Sequence, residues 1–391
     1  MVLVMSVAVV LLAAIGGEIY VRLNSPYGYV TPEILRSRRP LYGAAVFARH
    51  VLPRMQHVVR DKNGKELYSI NALGYRGVPF SPHKPRGTVR IIIYGGSSVF
   101  DHDNPGTTDW PHRVQTRLRE SGFPAVEVIN AGIPGHASSD SVGRLLAEGH
   151  LFDPDYVLYY GEWNDIKDFR ETDPLLRYRL PAWSEENDPL FTYQNPLDRW
   201  LCGVSQLYVR LRERYYTWNF RIGSEGVLPE GSYASTLSET ALRQYRLNIQ
   251  TFVDVARNAG AVPVLVTEAR LVSRKNEDAD RKRINYEMVL LTHEALYHAF
   301  EEEDRILREI SNEKHVHLTD SSAVLSGRSE YFLDAVHLTD RGSEALSSIV
   351  STSIASLLNN PAQPAAKVPA IQTKLEPPIS QSLSHLSRER H

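Results

Sequence analysis

The segment Arg90 to Phe100, RIIIYGGSSVF, constrains this chain more than any other stretch. Three isoleucines and a tyrosine make a short β-branched apolar run that two glycines end, the pattern of a strand buried on both faces of a parallel sheet. A serine just past the carboxyl end of such a strand stands where α/β sheets place their ligands. Ser97 is therefore a candidate nucleophile. The other reading of the same position is a serine that only caps the helix to come.

The pattern of strand, glycine-rich or polar turn and helix then repeats. Trp110 to Glu120 is helix-like with a proline near its start. Val126 to Ile129 reads as a second strand that runs into Asn130 to Gly135, and Ser138 to Leu151 as the next helix. A third strand, Asp155 to Tyr160, delivers Gly161 to Asp165. Further on come a helical face from Leu242 to Ala256 closed by Gly260, a fourth strand at Val262 to Thr267, and a long charged helix over Arg283 to Ser311. A short fifth strand at His315 to Leu318 and a last helix over Asp340 to Leu358 complete the series. Strands that end one after another in polar turns predict an α/β domain over residues 89–358, with a parallel sheet and a site at its carboxyl edge.

Residues 24–88 read as a connector with a small hairpin, because Asn63-Gly64 sits between β-prone runs. An irregular insertion occupies about 166–234. Within it Leu197, Leu201, Val204, Tyr208, Leu211 and Tyr215 keep helical spacing, with Arg199, Arg210, Arg212 and Arg214 on other faces. Such a helix can line a groove, rest on lipid headgroups or pack on its own domain. Residues 359–391 are rich in Pro, Ser and Gln without periodicity, the composition of a disordered tail.

Location is suggested by residues 1–23. Met1 to Gly17 is apolar or small apart from Ser6, and Glu18 ends the run. That is close to the minimum for a spanning helix and also fits the apolar part of a secretory signal; with no basic stretch before it, an uncleaved membrane anchor is expected. A buried helix of a soluble protein is the remaining reading. The site domain is expected outside the cytoplasm, although Arg22, Arg36, Arg38 and Arg39 would by a positive-inside count hold it inside. With 44 basic against 46 acidic residues there is no electrostatic case for nucleic acid. The single cysteine, Cys202, excludes an internal disulfide and a cysteine-based zinc site. His315 and His317 alternate on a strand, with no further ligand at a fitting spacing.

The run Asp334-Ala335-Val336-His337 changes the weight of Ser97. An aspartate three residues before a histidine, on or next to a helical turn, can accept a proton from one imidazole nitrogen and leave the other free as a base. Serine needs such a base, since its hydroxyl is a weak nucleophile at neutral pH. Lying between the fifth strand and the last helix, the pair can share the sheet edge with Ser97. Oxyanion donors are available at Gly135, after the second strand, and Asn164, after the third; one preorganised donor can contribute about 3 kcal/mol. Each also has an ordinary role, backbone freedom for the glycine and turn capping for the asparagine.

In this order, Gly95-Gly96-Ser97, Asn130 to Gly135, Asn164-Asp165 and Asp334 to His337 resemble the four blocks of the SGNH hydrolase superfamily, the GDSL-type esterases and lipases. The Asp-x-x-His-Leu-Thr-x-x-Gly run ending at Gly342 is the most specific part. The resemblance implies a three-layer α/β/α sandwich on a five-stranded parallel sheet, flavodoxin-like in layout. It implies Ser97 as nucleophile and oxyanion donor, Gly135 and Asn164 as further donors, His337 as base and Asp334 as its orienting partner. It implies no metal or organic cofactor. Gly96 stands where the family has aspartate, a change expected to leave the chemistry untouched, and Glu162 stands where the third block has glycine. Val99 removes any Gly-x-Ser-x-Gly elbow. Similarity to membrane-tethered bacterial members points to O-acyl or O-acetyl esters of carbohydrate or lipid. An O-acyltransferase with the same site, and a non-catalytic carbohydrate- or phosphate-binding module, are the alternatives.

Overall fold

The computed structural model describes residues 2–24, 57–60, 66–167, 169, 193–223 and 233–360. Most of the connector, the hairpin turn at 61–65, the middle of the insertion and the tail beyond residue 360 lie outside the described residues.

In chain order the elements are α1 (Val2–Asn24), β1 (His57–Arg60), β2 (Glu66–Ile70), β3 (Val89–Gly95), α2 (Trp110–Glu120), β4 (Val126–Gly132), α3 (Ser138–Glu148) and β5 (Tyr156–Tyr160). After the third strand of the main sheet follow α4 (Pro196–Val204), α5 (Gln206–Gly223), α6 (Glu239–Asn258), β6 (Val262–Val266), α7 (His293–Lys314), β7 (His317–Thr319) and α8 (Asp340–Asn359). Five strands form one parallel sheet in the order β4-β3-β5-β6-β7, and β1 pairs with β2 antiparallel beside it.

Ile91, Ile92, Ile93 and Tyr94 are all buried, as a central strand covered on both faces requires. Helix α2 packs with α8, α3 with α6, and α6 with α7, so the sheet is flanked as in an α/β sandwich. The helix starts follow local chemistry. Asp109 caps α2 by accepting from the His112 amide, and Pro111 occupies the first turn where no amide is needed. Thr292 and Thr339 cap α7 and α8 in the same way.

Two helices differ from their sequence pattern. The charged segment from Arg283 does not run as one helix: Leu290 takes a left-handed φ of 54°, and α7 begins afresh at His293 under the Thr292 cap. In the insertion, the periodicity from Leu197 to Tyr215 is carried by two helices, because Ser205 is extended at φ −127° and ψ 116°. Arg212 is not on a solvated face. It is buried and bonds both oxygens of Asp198, at 2.7 and 2.9 Å.

The amino-terminal segment departs further from expectation. Among the described residues no helix is long and apolar enough to cross a membrane. The uncharged stretch of α1 stops at Gly17, short of the roughly 20 apolar residues a bilayer core takes. Glu18 and Arg22 then fill its last turns. Glu18 accepts from the Ser205 hydroxyl at 2.7 Å and from the Gln206 and Leu207 amides at 2.9 Å each, so it caps α5 from a different helix. Arg22 bonds both Glu18, at 2.7 Å, and the Val204 carbonyl, at 3.1 Å.

Arg76 ties the segment after the hairpin to the sheet edge. It pairs across to Asn130 through its backbone, and its guanidinium donates to the carbonyls of Phe100 and Asn104 while lying 4.9 Å from the Phe100 ring. The Asp109 carboxylate is 3.5 Å away, and both side chains are fully buried. Arg76→Met would leave two carbonyls and a buried carboxylate without their cation. Urea unfolding should show a loss of about 3 kcal/mol or more.

Candidate active site

The strand order brings three loops to one edge. The carboxyl end of β3 leads into a helical turn, Ser97–Phe100; β4 leads into the loop with Gly135; β5 leads into a second helical turn, Trp163–Ile166. A side chain at Gly95 would run into the Tyr160 carbonyl, and one at Gly132 into the Phe100 amide. Glycine at both positions lets the three strand ends meet without side chains between them.

The serine turn is pinned from several directions. Asp101 ends it in a left-handed conformation, with φ 56°. Its buried carboxylate accepts from the Trp110 amide at 2.9 Å, the Ser343 hydroxyl at 2.6 Å and the Asn104 amide at 2.8 Å. Burial outweighs those donors and pushes the Asp101 carboxyl up to about 6. Trp110 Nε1 donates to the Ser98 carbonyl at 2.8 Å, and Asn130 Nδ2 to that of Val99 at 3.0 Å.

Ser97 does not cap its turn. Its Oγ lies 2.8 Å from His337 Nε2, and His337 Nδ1 lies 2.6 Å from Asp334 Oδ2. Asp334 and His337 sit on a loop, not on a helical turn. Asp334 Oδ1 accepts from the amides of Val336 and His337 at 3.0 and 2.9 Å, a side-chain-closed turn that fixes the carboxylate against the ring. Gly342, the last residue of that sequence block, is needed because a Cβ there would collide with the Tyr331 carbonyl.

Burial alone would disfavour a charged His337. The Asp334 hydrogen bond and charge, with Asp103 and Glu268 further off, outweigh it, so the imidazole pKa is raised above the ordinary 6.5. For Asp334, burial works upward but the His337 contact and the two amides hold the carboxyl down at about 2. The histidine is thus a stronger base than usual, with its aspartate ionised at neutral pH.

Asn164 is the second residue of the turn after β5. Its Nδ2 donates to the His136 carbonyl at 2.9 Å, and Lys167 Nζ donates to its Oδ1 at 2.6 Å, which orients the amide. Gly135, one residue before His136, takes φ 87°, a value that favours glycine. Gly96 proves to matter more than its sequence position suggested. A Cβ there would lie 2.5 Å from Asn164 Nδ2 and 2.9 Å from the His136 carbonyl, so any side chain, aspartate included, would push those groups off the serine turn.

Three groups at this edge escaped the sequence reading. The ring of His102 meets that of His337 edge-on at 5.2 Å, and its Nε2 lies 3.2 Å from Asp103. Burial lowers the His102 pKa. Its only sequence signal was the Asp101-His102-Asp103 run just past Ser97. Lys167 and Glu268, the latter just after β6, carried none. Conversely, Asp109 and His112 have the same spacing as Asp334 and His337 and are 2.7 Å apart, yet they are buried beside Asn130 and Arg76. His317 bonds Ser353 at 2.6 Å. Among the described residues, no group of three or more His, Cys, Asp or Glu could hold a metal ion.

No family model matches the chain, and no curated protein matches it in sequence. Solved structures do resemble it in chain path. A protein assigned to the G-D-S-L lipolytic family from Desulfitobacterium hafniense is 12% identical with a TM-score of 0.39, over 68% of this chain and 99% of that one. The lipase/acylhydrolase from Enterococcus faecalis is 15% identical at 0.40, over 69% and 96%. The acetylxylan esterase Axe2 from Geobacillus stearothermophilus is 14% identical at 0.38, over 68% and 94%. At such identities and scores the likeness decides nothing about chemistry, which rests on the side chains above.

Three outcomes check this geometry through the rate at which a fluorophosphonate labels Ser97. Gly96→Ala should slow labelling about tenfold or more by displacing Asn164, without changing which serine reacts. In the unsubstituted protein the rate should rise with pH through a midpoint above 6.5, because His337 must be neutral to take the serine proton. Asp334→Asn removes the largest of the contributions that raise that midpoint, while burial still lowers it. The midpoint should therefore move to lower pH as the maximum rate falls.

Proposed function

We propose that the protein is a serine ester hydrolase of SGNH type working through an acyl-enzyme. One observation carries this reading: a single imidazole reaches the Ser97 hydroxyl at 2.8 Å with one nitrogen and the Asp334 carboxylate at 2.6 Å with the other. Asp334 fixes the tautomer with its proton on Nδ1, so Nε2 is a free base. As Ser97 Oγ attacks the ester carbonyl carbon, its proton passes to Nε2. The negative oxygen that develops is held by the Ser97 and Gly135 amides and Asn164 Nδ2. His337 returns the proton to the departing alcohol, then takes one from the water that attacks the acyl carbon, and Ser97 recovers it as the acid leaves.

Besides the ester and one water, the cycle draws only on the chain's own side chains and amides. We place the substrates among O-acyl and O-acetyl esters of carbohydrate or lipid, in line with the sequence blocks.

p-Nitrophenyl acetate is the direct test. The protein should turn it over, and Ser97→Ala should lose about a thousandfold or more in kcat/KM. Equal turnover by both proteins would remove Ser97 from the reaction. Acetate release from acetylated xylose but not from long-chain esters would narrow the class.

A further inference from the structure

Glu268 follows the fourth strand of the sheet and is fully buried, yet it makes no contribution to the cycle above. Its carboxylate joins two of the loops that build the site. One oxygen accepts from the hydroxyl of Ser98, the residue after the nucleophile. The other accepts from the amides of Glu162 and Trp163, the two residues before Asn164, at 2.8 Å each. Glu162 closes the bridge in return, accepting from the Glu268 amide at 3.1 Å.

Every group that bonds the Glu268 side chain is a donor, which is the pattern of a carboxylate and not of a neutral acid. Burial raises the pKa of this carboxyl above the ordinary value, and the three donors offset only part of that rise. Burying such a group is costly, and a well-packed apolar residue would serve stability as well or better. What an apolar residue cannot do is hold a hydroxyl and two amides from different loops at fixed separations.

We propose that Glu268 is a positioning residue for the reaction, locking the Ser97–Ser98 turn to the Glu162–Asn164 turn and so setting the distance between the nucleophile and the Asn164 amide. The inference rests on the hydrolase reading of the site. A shift of about 1 Å in such a distance can cost on the order of a hundredfold in rate. The role differs from that of Asp334, which touches the base directly.

The test compares Glu268→Gln and Ser98→Ala with the unsubstituted protein, using p-nitrophenyl acetate turnover and an NMR titration of the His337 ring. Glutamine retains one acceptor oxygen but turns an amide donor toward other donors. Its kcat should fall about 30-fold with KM within about threefold, the split expected when substrate binding is spared. Ser98→Ala cuts one arm of the bridge and should lose less, about fivefold. The groups facing His337 are Ser97, Asp334, His102, Asp103 and Glu268. Glu268→Gln removes one negative charge from that set, so the His337 midpoint should move to lower pH; Ser98→Ala should leave it in place. A merely structural residue would lower melting temperature without this pair of results.

Unchanged kcat in a folded Glu268→Gln protein overturns the proposal, and if that variant does not fold, unchanged kcat in Ser98→Ala overturns it. An unsubstituted protein with no turnover would count against the hydrolase reading instead. The His337 titration still tests Glu268 then, and an unshifted midpoint overturns its role.

Discussion

The candidate site depends on a backbone approach that only glycine permits. At Gly95 the end of β3 meets the Tyr160 carbonyl of β5, at Gly132 the end of β4 meets the turn after Ser97, and at Gly96 the Asn164 amide comes within reach. Removing three Cβ atoms from three adjacent positions brings the serine, the asparagine and the His136 carbonyl into one small volume. Parallel strand order supplies the neighbours; glycine lets them touch. The imidazole then arrives from the far end of the chain on the Asp334 loop, and the polar contacts around Asp101 keep the serine turn from yielding.

Much of this was legible in the sequence because the signals were local. A run of isoleucines ending in two glycines marks a buried strand wherever it occurs, and the starts of α2 at Trp110 and α8 at Asp340 fall where the local pattern predicts them. Ser97 and His337 stood out because each follows a strand or precedes a helix in a way that topology can read. The spacing of aspartate and histidine was less decisive than it looked. Asp109 and His112 satisfy it equally, and only burial beside Arg76 separates that structural pair from the one that reaches the serine.

What stayed hidden was long-range or written in backbone. Glu268 bonds Ser98 across 170 residues and the Glu162 and Trp163 amides across more than a hundred, and an amide leaves no mark in the sequence. Leu290 breaks the charged helix through its conformation, and Ser205 splits the insertion helix where periodicity continues undisturbed. Gly96 was read as a neutral departure from a motif because its value lies in the Asn164 side chain that passes over it.

Glu18 gives the two ends of this architecture a common fate. By satisfying the first amides of α5 from α1, it makes the integrity of an insertion helix depend on a residue 187 to 189 positions earlier in the chain. A cap of this kind is worth about 1 kcal/mol to the helix it closes. Any event that draws the amino-terminal helix away would fray the start of the insertion, so a disturbance at one extremity would be felt midway along the polypeptide without passing through the sheet.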